Sequence, residues 1–452
     1  MNISSLKLLL LRPVVIYLLA DVLVKSMQFF LMPTASHLLS IDEYGKLTLF
    51  LALLTALVPV VSLSSESAFS IFYNQELGKD KKRLFINSIM VAATGYVVFS
   101  AATLVLSYFD DNLLFSIISL KYQMTKMLLI VFLEYFVNIF LLSSRLDFKK
   151  TDYFFWFVFY FLLKFIFGLG AIYIFESSDS YLNSILLLNT IFVFVVLWKV
   201  FGKKLLNRDF LTFDKQVYLR IIKYSMIILP VTMFSVVNSM IDKVYITSLL
   251  SVSDLANYTS IFLLSGSIQI VILAMNKAYM PKLLKLYAQY GYLSLRKMKK
   301  ETKRVMLANY FVFLACVILL PFLFGYIYSE NITFNYGVFL VLSLSFLFNT
   351  IYILFTNVLS LEESTAKYKM FGFLFATFVN IPLSYFFTLK FGILGAAIST
   401  LASCTFAAFI LFLFVNVKVE RYYLVKESFV FFSSSISTVL LLFYFNSNLG
   451  LY

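Results

Sequence analysis

The stretch IIKYSMIILPVTMFSVVNSMIDKVYITSLL, Ile221–Leu250, decides how the rest of the chain is read. It is long enough to cross a bilayer as a helix, yet it carries Pro230 near its start and Asp242-Lys243 deep inside. A charged residue at mid-membrane costs about 2.5–3.5 kcal/mol, so it marks a candidate functional site. Ser235, Asn238, Ser239 and Asp242 follow one another at spacings of three, one and three. That places all four on one helical face. The resulting polar stripe must face something other than lipid.

The composition agrees with a membrane setting. Of 452 residues, 61% are hydrophobic and only 13% are charged, more apolar surface than a soluble fold of this length can hide. Phe (53) and Tyr (30) are abundant enough to supply lipid-facing walls and interfacial belts. The net charge of +14 follows the positive-inside rule rather than pointing to nucleic acid. Cys316 and Cys404 both lie in apolar runs, where neither is placed for a disulfide or a metal. His37 is the only histidine, so no metal site is expected. The N-terminus carries Lys7 and Arg12, but its apolar run continues through Asp21 and Lys25 without a small-residue cleavage site, unlike a cleavable signal.

Apolar runs near 13–39, 47–72, 85–108, 124–143, 152–175, 181–200, 221–250, 258–281, 305–328, 337–360, 370–389 and 393–417 read as twelve spanning helices. A thirteenth, weaker run at 429–445 either crosses the membrane or lies in its interface. The connections alternate in charge: 29 basic residues fall on one side and four on the other. The basic side, which includes the N-terminus, is expected to be cytoplasmic. Outer connections are too short for a catalytic domain. The links 201–220 and 282–304 are basic and partly amphipathic, which suggests interfacial helices drawn to anionic headgroups.

An internal repeat is visible. LLSIDEYGKLTLF begins at Leu38 and LLSVSDLANYTSI at Leu249, 211 residues later, and both join two spans on the outer face. Duplication explains the equal topological positions. The expected architecture is all-α and polytopic: two parallel six-helix bundles around a central cavity. The halves are 1–200 and 221–417, joined by a cytoplasmic linker 201–220 and followed by a tail 418–452.

Eight ionisable residues lie within the spans: Asp21, Lys25, Glu66, Glu134, Lys164, Asp242, Lys243 and Lys277. Facing lipid, they would cost about 20–28 kcal/mol together, more than the net stability of a fold. Glu134 and Lys164, on spans 4 and 5, read as a structural ion pair. Asp21 and Lys25 are four apart, so they either satisfy each other or line a cavity, with Gln28 continuing their face. Asp242 and Lys243 point about 100° apart, so each should need a partner on another helix or a wet cavity. Glu66 sits in a serine-rich run, with Ser62 and Ser70 a turn to either side. Lys277 is placed to snorkel to the inner interface or to line the cavity. Six of the eight charges come from spans 1, 2, 7 and 8, equivalent pairs in the two halves.

No nucleotide-binding loop, dinucleotide fingerprint, zinc-protease motif or nucleophile elbow is found, so no catalytic residue and no cofactor are expected. Several segments, taken in order, carry a resemblance. SIDEYGKLTLF after span 1, ILPVTMFSVVNSMIDKVYIT in span 7 and MNKAYMPKLLK at the end of span 8 are three of them. FVNIPLSYFFTLKFGILGAAIST across spans 11 and 12 is the fourth, with Asn380, Gly392, Gly395, Ala396 and Ala397. Together they resemble bacterial O-antigen/polysaccharide repeat-unit flippases (Wzx type) of the multidrug/oligosaccharidyl-lipid/polysaccharide exporter superfamily. Lys243 stands where that family's pattern has Arg, which weakens bidentate phosphate recognition.

The resemblance implies a transporter rather than an enzyme, in the bacterial cytoplasmic (inner) membrane. It would carry an undecaprenyl-pyrophosphate-linked glycan to the outer leaflet by alternating access, serving lipopolysaccharide or other polysaccharide biosynthesis. Membrane lipids, a polysaccharide polymerase and a chain-length regulator would be its partners. On that reading Lys25, Lys243 and Lys277, with Asn238 and Gln28, meet the substrate in the cavity. Asp21, Glu66 or Asp242 couple a proton or sodium gradient. The alternative is an ion-coupled drug antiporter of the same superfamily, which calls for a more acidic, aromatic cavity. A polytopic glycan polymerase and a lipid II flippase fit less well. The first needs a large outer loop, and the second usually has fourteen spans.

Overall fold

The computed structural model describes residues 13–75, 81–109, 120–147, 150–201, 213–362, 365, 367–419 and 424–449. These residues are almost all helical, joined by short turns and connections such as 328–335, with no strand among them. The helices are α1 (Pro13–Leu38), α2 (Ile41–Ser62), α3 (Ser65–Gln75), α4 (Lys81–Phe109), α5 (Leu120–Leu146), α6 (Lys150–Phe175) and α7 (Ser178–Phe201). They continue with α8 (Lys215–Leu249), α9 (Val252–Tyr290), α10 (Leu293–Ile327), α11 (Tyr336–Leu359), α12 (Tyr368–Lys418) and α13 (Val425–Leu449). Among the described residues, eleven of these helices are long and apolar enough to cross a membrane. The chain is a multi-pass membrane protein. α13 has an apolar window over Val425–Tyr444, long enough to cross as well.

The chain divides into two compact units, Met1–Met233 and Phe234–Tyr452. The division falls inside α8, three residues past Pro230, rather than in the basic linker.

In the first unit, α1 packs on α6, while α5 packs on α2, α4 and α7. Phe69, Tyr135, Tyr160 and Val91 anchor the core, and Ile221 on the first turns of α8 joins them. Asp214 caps α8 by accepting from the backbone N–H of Gln216 at 2.7 Å and pairs with Arg83 at the start of α4. Negative charge at a helix N-terminus is favourable because the first backbone N–H groups lack intrahelical partners.

In the second unit α11 is central. It is apolar on every side and mostly buried, with α9, α10, both arms of α12 and α13 packed against it. α13 docks through Phe432 on Phe348, 4.4 Å between ring centroids, and through Thr438 on Tyr310, 2.7 Å. α12 has 51 residues, or about 77 Å as one helix, far more than one crossing needs. It breaks at Gly392, whose φ of 60° and ψ of −142° are not helical, so the two arms are separate passes. A Cβ at Gly395 would lie 1.9 Å from the Phe387 carbonyl oxygen, so the turn closes only without a side chain there.

The sequence repeat has a physical basis. Ser40 accepts from the Glu43 N–H to open α2, and Ser251 accepts from the Asp254 N–H to open α9. Both are serine N-caps with an acid three residues on. The acids then differ. Glu43 accepts from the Ser178 N–H (2.8 Å) and hydroxyl (2.7 Å), capping α7 as well, whereas Asp254 accepts from the Ser251 hydroxyl at 2.6 Å.

Two expectations are corrected. The run 47–72 is not one helix: Leu63 and Ser64 both take left-handed backbone angles, φ 49° and 58°, and separate α2 from α3. Ser62 therefore does not share a helical face with Glu66. The break holds because its polar groups are satisfied: Ser62 Oγ accepts from the Ser64 N–H, Ser64 bonds Thr232 at 2.7 Å, and Ser65 bonds Tyr135 at 2.5 Å. The link 282–304 does not form a separate helix either. α9 and α10 simply run on past their apolar cores and meet at Gly291. Their contact there is dry and specific, with Leu283, Leu295 and Met298 buried and Tyr279 bonded to Thr302 at 2.8 Å.

Gly395→Ala should lower the melting temperature of the solubilised protein by several degrees, because the nearest neighbours of the added carbon are backbone atoms that cannot step aside. Gly170→Ala, which meets nothing within 4 Å, should leave the melting temperature unchanged or raise it slightly.

Candidate functional site

The polar stripe on α8 leads directly to a pocket within the second unit. Asn238, Ser239 and Asp242 line it. The Ser235 side chain lies outside the described residues. α9 adds Phe262 and Gln269, α11 adds Ser345, Asn349 and Tyr352, and the second arm of α12 adds Thr400, Ser403 and Cys404. The cavity holds about 220 Å³. Its wall is mostly hydroxyl, amide and aromatic.

Asp242 is the one carboxylate on this wall among the described residues, and it is only 3% exposed. The Tyr258 hydroxyl donates to its Oδ2 at 2.6 Å, and the Lys243 N–H donates to its Oδ1 at 2.9 Å. Lys243 Nζ comes back to 3.8 Å from the same Oδ1. Each residue thus has a partner on α9, Tyr258 for Asp242 and Phe262 for Lys243, and the two also reach each other. The Cβ vectors diverge, but the lysine stem is long and flexible enough to fold back along the helix. The ammonium also donates to the Ser239 carbonyl at 2.9 Å and sits 4.4 Å over the Phe262 ring, a cation–π contact strengthened by burial. Lys243 is itself 8% exposed.

α8 is fixed against the first arm of α12 on the same side. Asn380 donates to the Asn238 carbonyl at 3.2 Å and to its Oδ1 at 3.1 Å. Ser384 donates to Asn380 Oδ1 at 3.0 Å and bonds Ser399 on the second arm at 2.8 Å. The asparagine of the Asn…Gly-Ile-x-Gly-Ala-Ala pattern thus orients the stripe. Asn276 plays a similar part between helices, accepting from Asn357 at 2.6 Å.

Other expected residues lie elsewhere. Lys277 is on α9 with an exposed side chain, away from the pocket wall. In the first unit, Lys164 Nζ is 2.9 Å from both carboxylate oxygens of Glu134, a symmetric pair joining α6 to α5. Glu66 opens α3 and accepts from the Ser70 hydroxyl through its backbone carbonyl at 2.9 Å. Its Oε1 is buried without a hydrogen bond among the described residues. The side chains of Asp21, Lys25 and Gln28, on α1, lie outside the described residues.

Sequence reasoning missed Tyr258, Gln269 and Asn349. Gln269 and Asn349 are amides isolated in otherwise apolar runs, a signal as legible as Asp242. Tyr258 lies in the repeated turn segment and carried no such mark.

Compared by sequence, the chain matches no protein-family profile and no curated protein. Compared by structure, it is similar to transporters. A multidrug resistance MATE family transporter of the MOP superfamily, inward-facing, superposes with a TM-score of 0.63 at 14% identity, covering 86% of this chain and 93% of that one. The lipid II flippase MurJ, inward closed, gives 0.64 at 14% identity, covering 96% and 92%. A MOP superfamily transporter from Pyrococcus furiosus gives 0.58 at 15% identity, covering 89% and 94%. The chain has the MOP-superfamily transporter fold, in two helical halves. That fold is carried alike by MATE drug transporters and by a flippase of a lipid-linked molecule.

Glu134→Ala should cost about 3–5 kcal/mol of stability by leaving the Lys164 ammonium uncompensated. The double change Glu134→Leu with Lys164→Leu should recover most of it, as read by thermal melting of the solubilised protein. Tyr258→Phe should cost about 1–3 kcal/mol through the lost donor to Asp242, with the same readout.

Proposed function

We propose that the chain is a flippase for an undecaprenyl-pyrophosphate-linked oligosaccharide, a repeat unit of O-antigen or another surface polysaccharide, working by alternating access. On this reading it resides in the bacterial inner membrane with its N-terminus in the cytoplasm, and it hands its cargo to a polymerase and chain-length regulator. The observation that carries the proposal is the charge balance of the pocket. Among the described wall residues the single carboxylate is met by an ammonium at 3.8 Å and a phenol at 2.6 Å, and the others are uncharged. Hydroxyls and amides beside aromatic faces suit the hydroxyls and apolar faces of sugars. An organic cation gains little from a carboxylate already neutralised. Among the structural neighbours, the lipid II flippase supports a lipid-linked cargo.

Asp242, Asp21 and Glu66 remain the coupling candidates. Asp242 is the best placed, since a proton or sodium ion arriving there competes with Lys243 and Tyr258 for the same oxygens. Lys25 and Lys277 are proposed to meet the pyrophosphate, and Asn238 and Gln28 the sugars. Lys243 acts first as the counter-charge of Asp242. The second reading, a drug antiporter, draws on the MATE neighbours and the aromatic residues Phe262, Phe346 and Tyr352 of the pocket.

The test uses a strain whose surface glycan depends on this protein. Asp242→Ala, present in the membrane at normal abundance, should reduce surface glycan about tenfold or more, equivalent to about 1.4 kcal/mol. The lipid-linked precursor should accumulate in the inner leaflet. Undiminished export would sink the assignment. Unchanged glycan together with lost extrusion of cationic dyes would favour the antiporter.

A further inference from the structure

The paired ends of α9 and α10 carry a charge pattern the transport site does not use. Between residues 282 and 304 there are eight exposed cations and one acid, Glu301. Exposed apolar residues are interleaved with them, Leu284, Tyr290 and Leu293, the last 60% exposed. Exposed cations together with exposed apolar side chains at a helix end suit an interface with lipid headgroups.

Depth sorts these cations into two groups. The apolar runs end at Pro281 on α9 and begin at Val305 on α10, so both mark one edge of the hydrocarbon. At about 1.5 Å per residue, Lys282 and Arg304 lie within about 2 Å of that edge, Lys303 about 3 Å, Lys285 about 6 Å and Lys300 about 7.5 Å beyond it. The headgroup layer is about 5–8 Å thick on each face. Lys299 lies just above it, and Lys297 and Arg296 stand about 12–13 Å out, in water. Two of the deeper cations are already engaged within the fold. Lys303 pairs with Glu427 at 2.9 Å, and Arg304 pairs with Glu301 at 2.5 Å. Lys299 also reaches Glu427, at 3.3 Å, and Lys297 Nζ stacks 3.0 Å over the Tyr290 ring. Lys282 and Lys285, three apart on one face of α9, and Lys300 on α10 make no ion pair among the described residues.

We propose that Lys282, Lys285 and Lys300 form a docking site for the anionic headgroups of membrane phospholipids in the leaflet on the basic side. The ligand chemistry is a phosphate diester with no neutralising amine, as in phosphatidylglycerol. The site is rigid rather than a loose charged tail. Leu283, Leu295 and Met298 lock the two helices together, and the hairpin tip is clasped to the α11–α12 turn by Tyr287, which donates to Glu362 at 2.5 Å. Arg296 and Lys297 are above headgroup reach and take no part. The inference rests on the helix lengths and charge placement alone, not on the identity of the cargo.

The test is native mass spectrometry of the full chain ejected from nanodiscs of phosphatidylcholine and phosphatidylglycerol at about three to one, a lysine at such a surface contributing roughly a fivefold factor in binding. The wild type should retain phosphatidylglycerol in preference to phosphatidylcholine. K282Q/K285Q/K300Q should lower the ratio of phosphatidylglycerol-bound to free protein on the order of a hundredfold, and K282R/K285R/K300R should restore it. R296Q/K297Q should leave it within about twofold. Retention by the Gln triple equal to wild type overturns the proposal. So does an equal loss in the triple and in R296Q/K297Q, which would indicate diffuse attraction or a water-borne acidic partner. Should the triple fail to reach the membrane, K282Q and K285Q singly must each lower retention, and no change in either is equally fatal. Glycan export is read separately, so a failure here leaves the flippase reading untouched.

Discussion

A carboxylate deep among apolar helices has no water to lean on, and the second unit is arranged around satisfying one such group. Asp242 takes a phenol from α9, a backbone N–H from its own helix and an ammonium from the next residue. Each partner fixes something else. Tyr258 sets the register of α9 against α8. Lys243 holds Phe262 and the Ser239 carbonyl. The pocket wall is then the remainder: the hydroxyls and amides of α8, α9, α11 and α12 left facing inward once the charge is accounted for. The unit thereby encloses a pocket in which hydroxyls and amides are set among aromatic and other apolar side chains.

The same requirement acts differently in the first unit. There the charge is divided between two helices, and Glu134 and Lys164 meet symmetrically. A pair of that geometry leaves little unfilled valence, so it fastens α5 to α6. Asp242 is shared among unequal partners and borders the pocket.

Much of this was legible in the chain. The apolar runs gave the helices, because a backbone in hydrocarbon must satisfy itself internally. Gly392 and Gly395 marked the turn between two passes, since only residues lacking a Cβ close it. The spacing of Asn238, Ser239 and Asp242 gave the wall of the pocket, because helical periodicity is strict. The break at Leu63–Ser64 was not legible. Neither residue is a glycine, and the turn is held by Thr232 and Tyr135, far away in sequence. Nor was the partnership of Asp242 with Lys243, which depends on a side chain bending back on itself. Periodicity fixes directions of Cβ, not the reach of a four-carbon stem. Tyr258 was hidden for a related reason: an aromatic residue in an apolar run looks the same whether its hydroxyl is used or idle.

The two serine caps that open α2 and α9 are the same device, yet their acids are committed over very different distances. Asp254 and Ser251 are three residues apart, so the turn of the second half is complete as soon as it leaves the ribosome. Glu43 is joined to Ser178, 135 residues later. Until α7 is in place, Glu43 lacks that partner and keeps only Lys46, three residues on, at 2.7 Å. Closing so long a loop costs chain entropy before the bond returns anything. Two copies of one cap thus place different demands on folding: the Ser251–Asp254 corner needs only its own turn, whereas the bond from Ser178 to Glu43 forms only once α7 is in place.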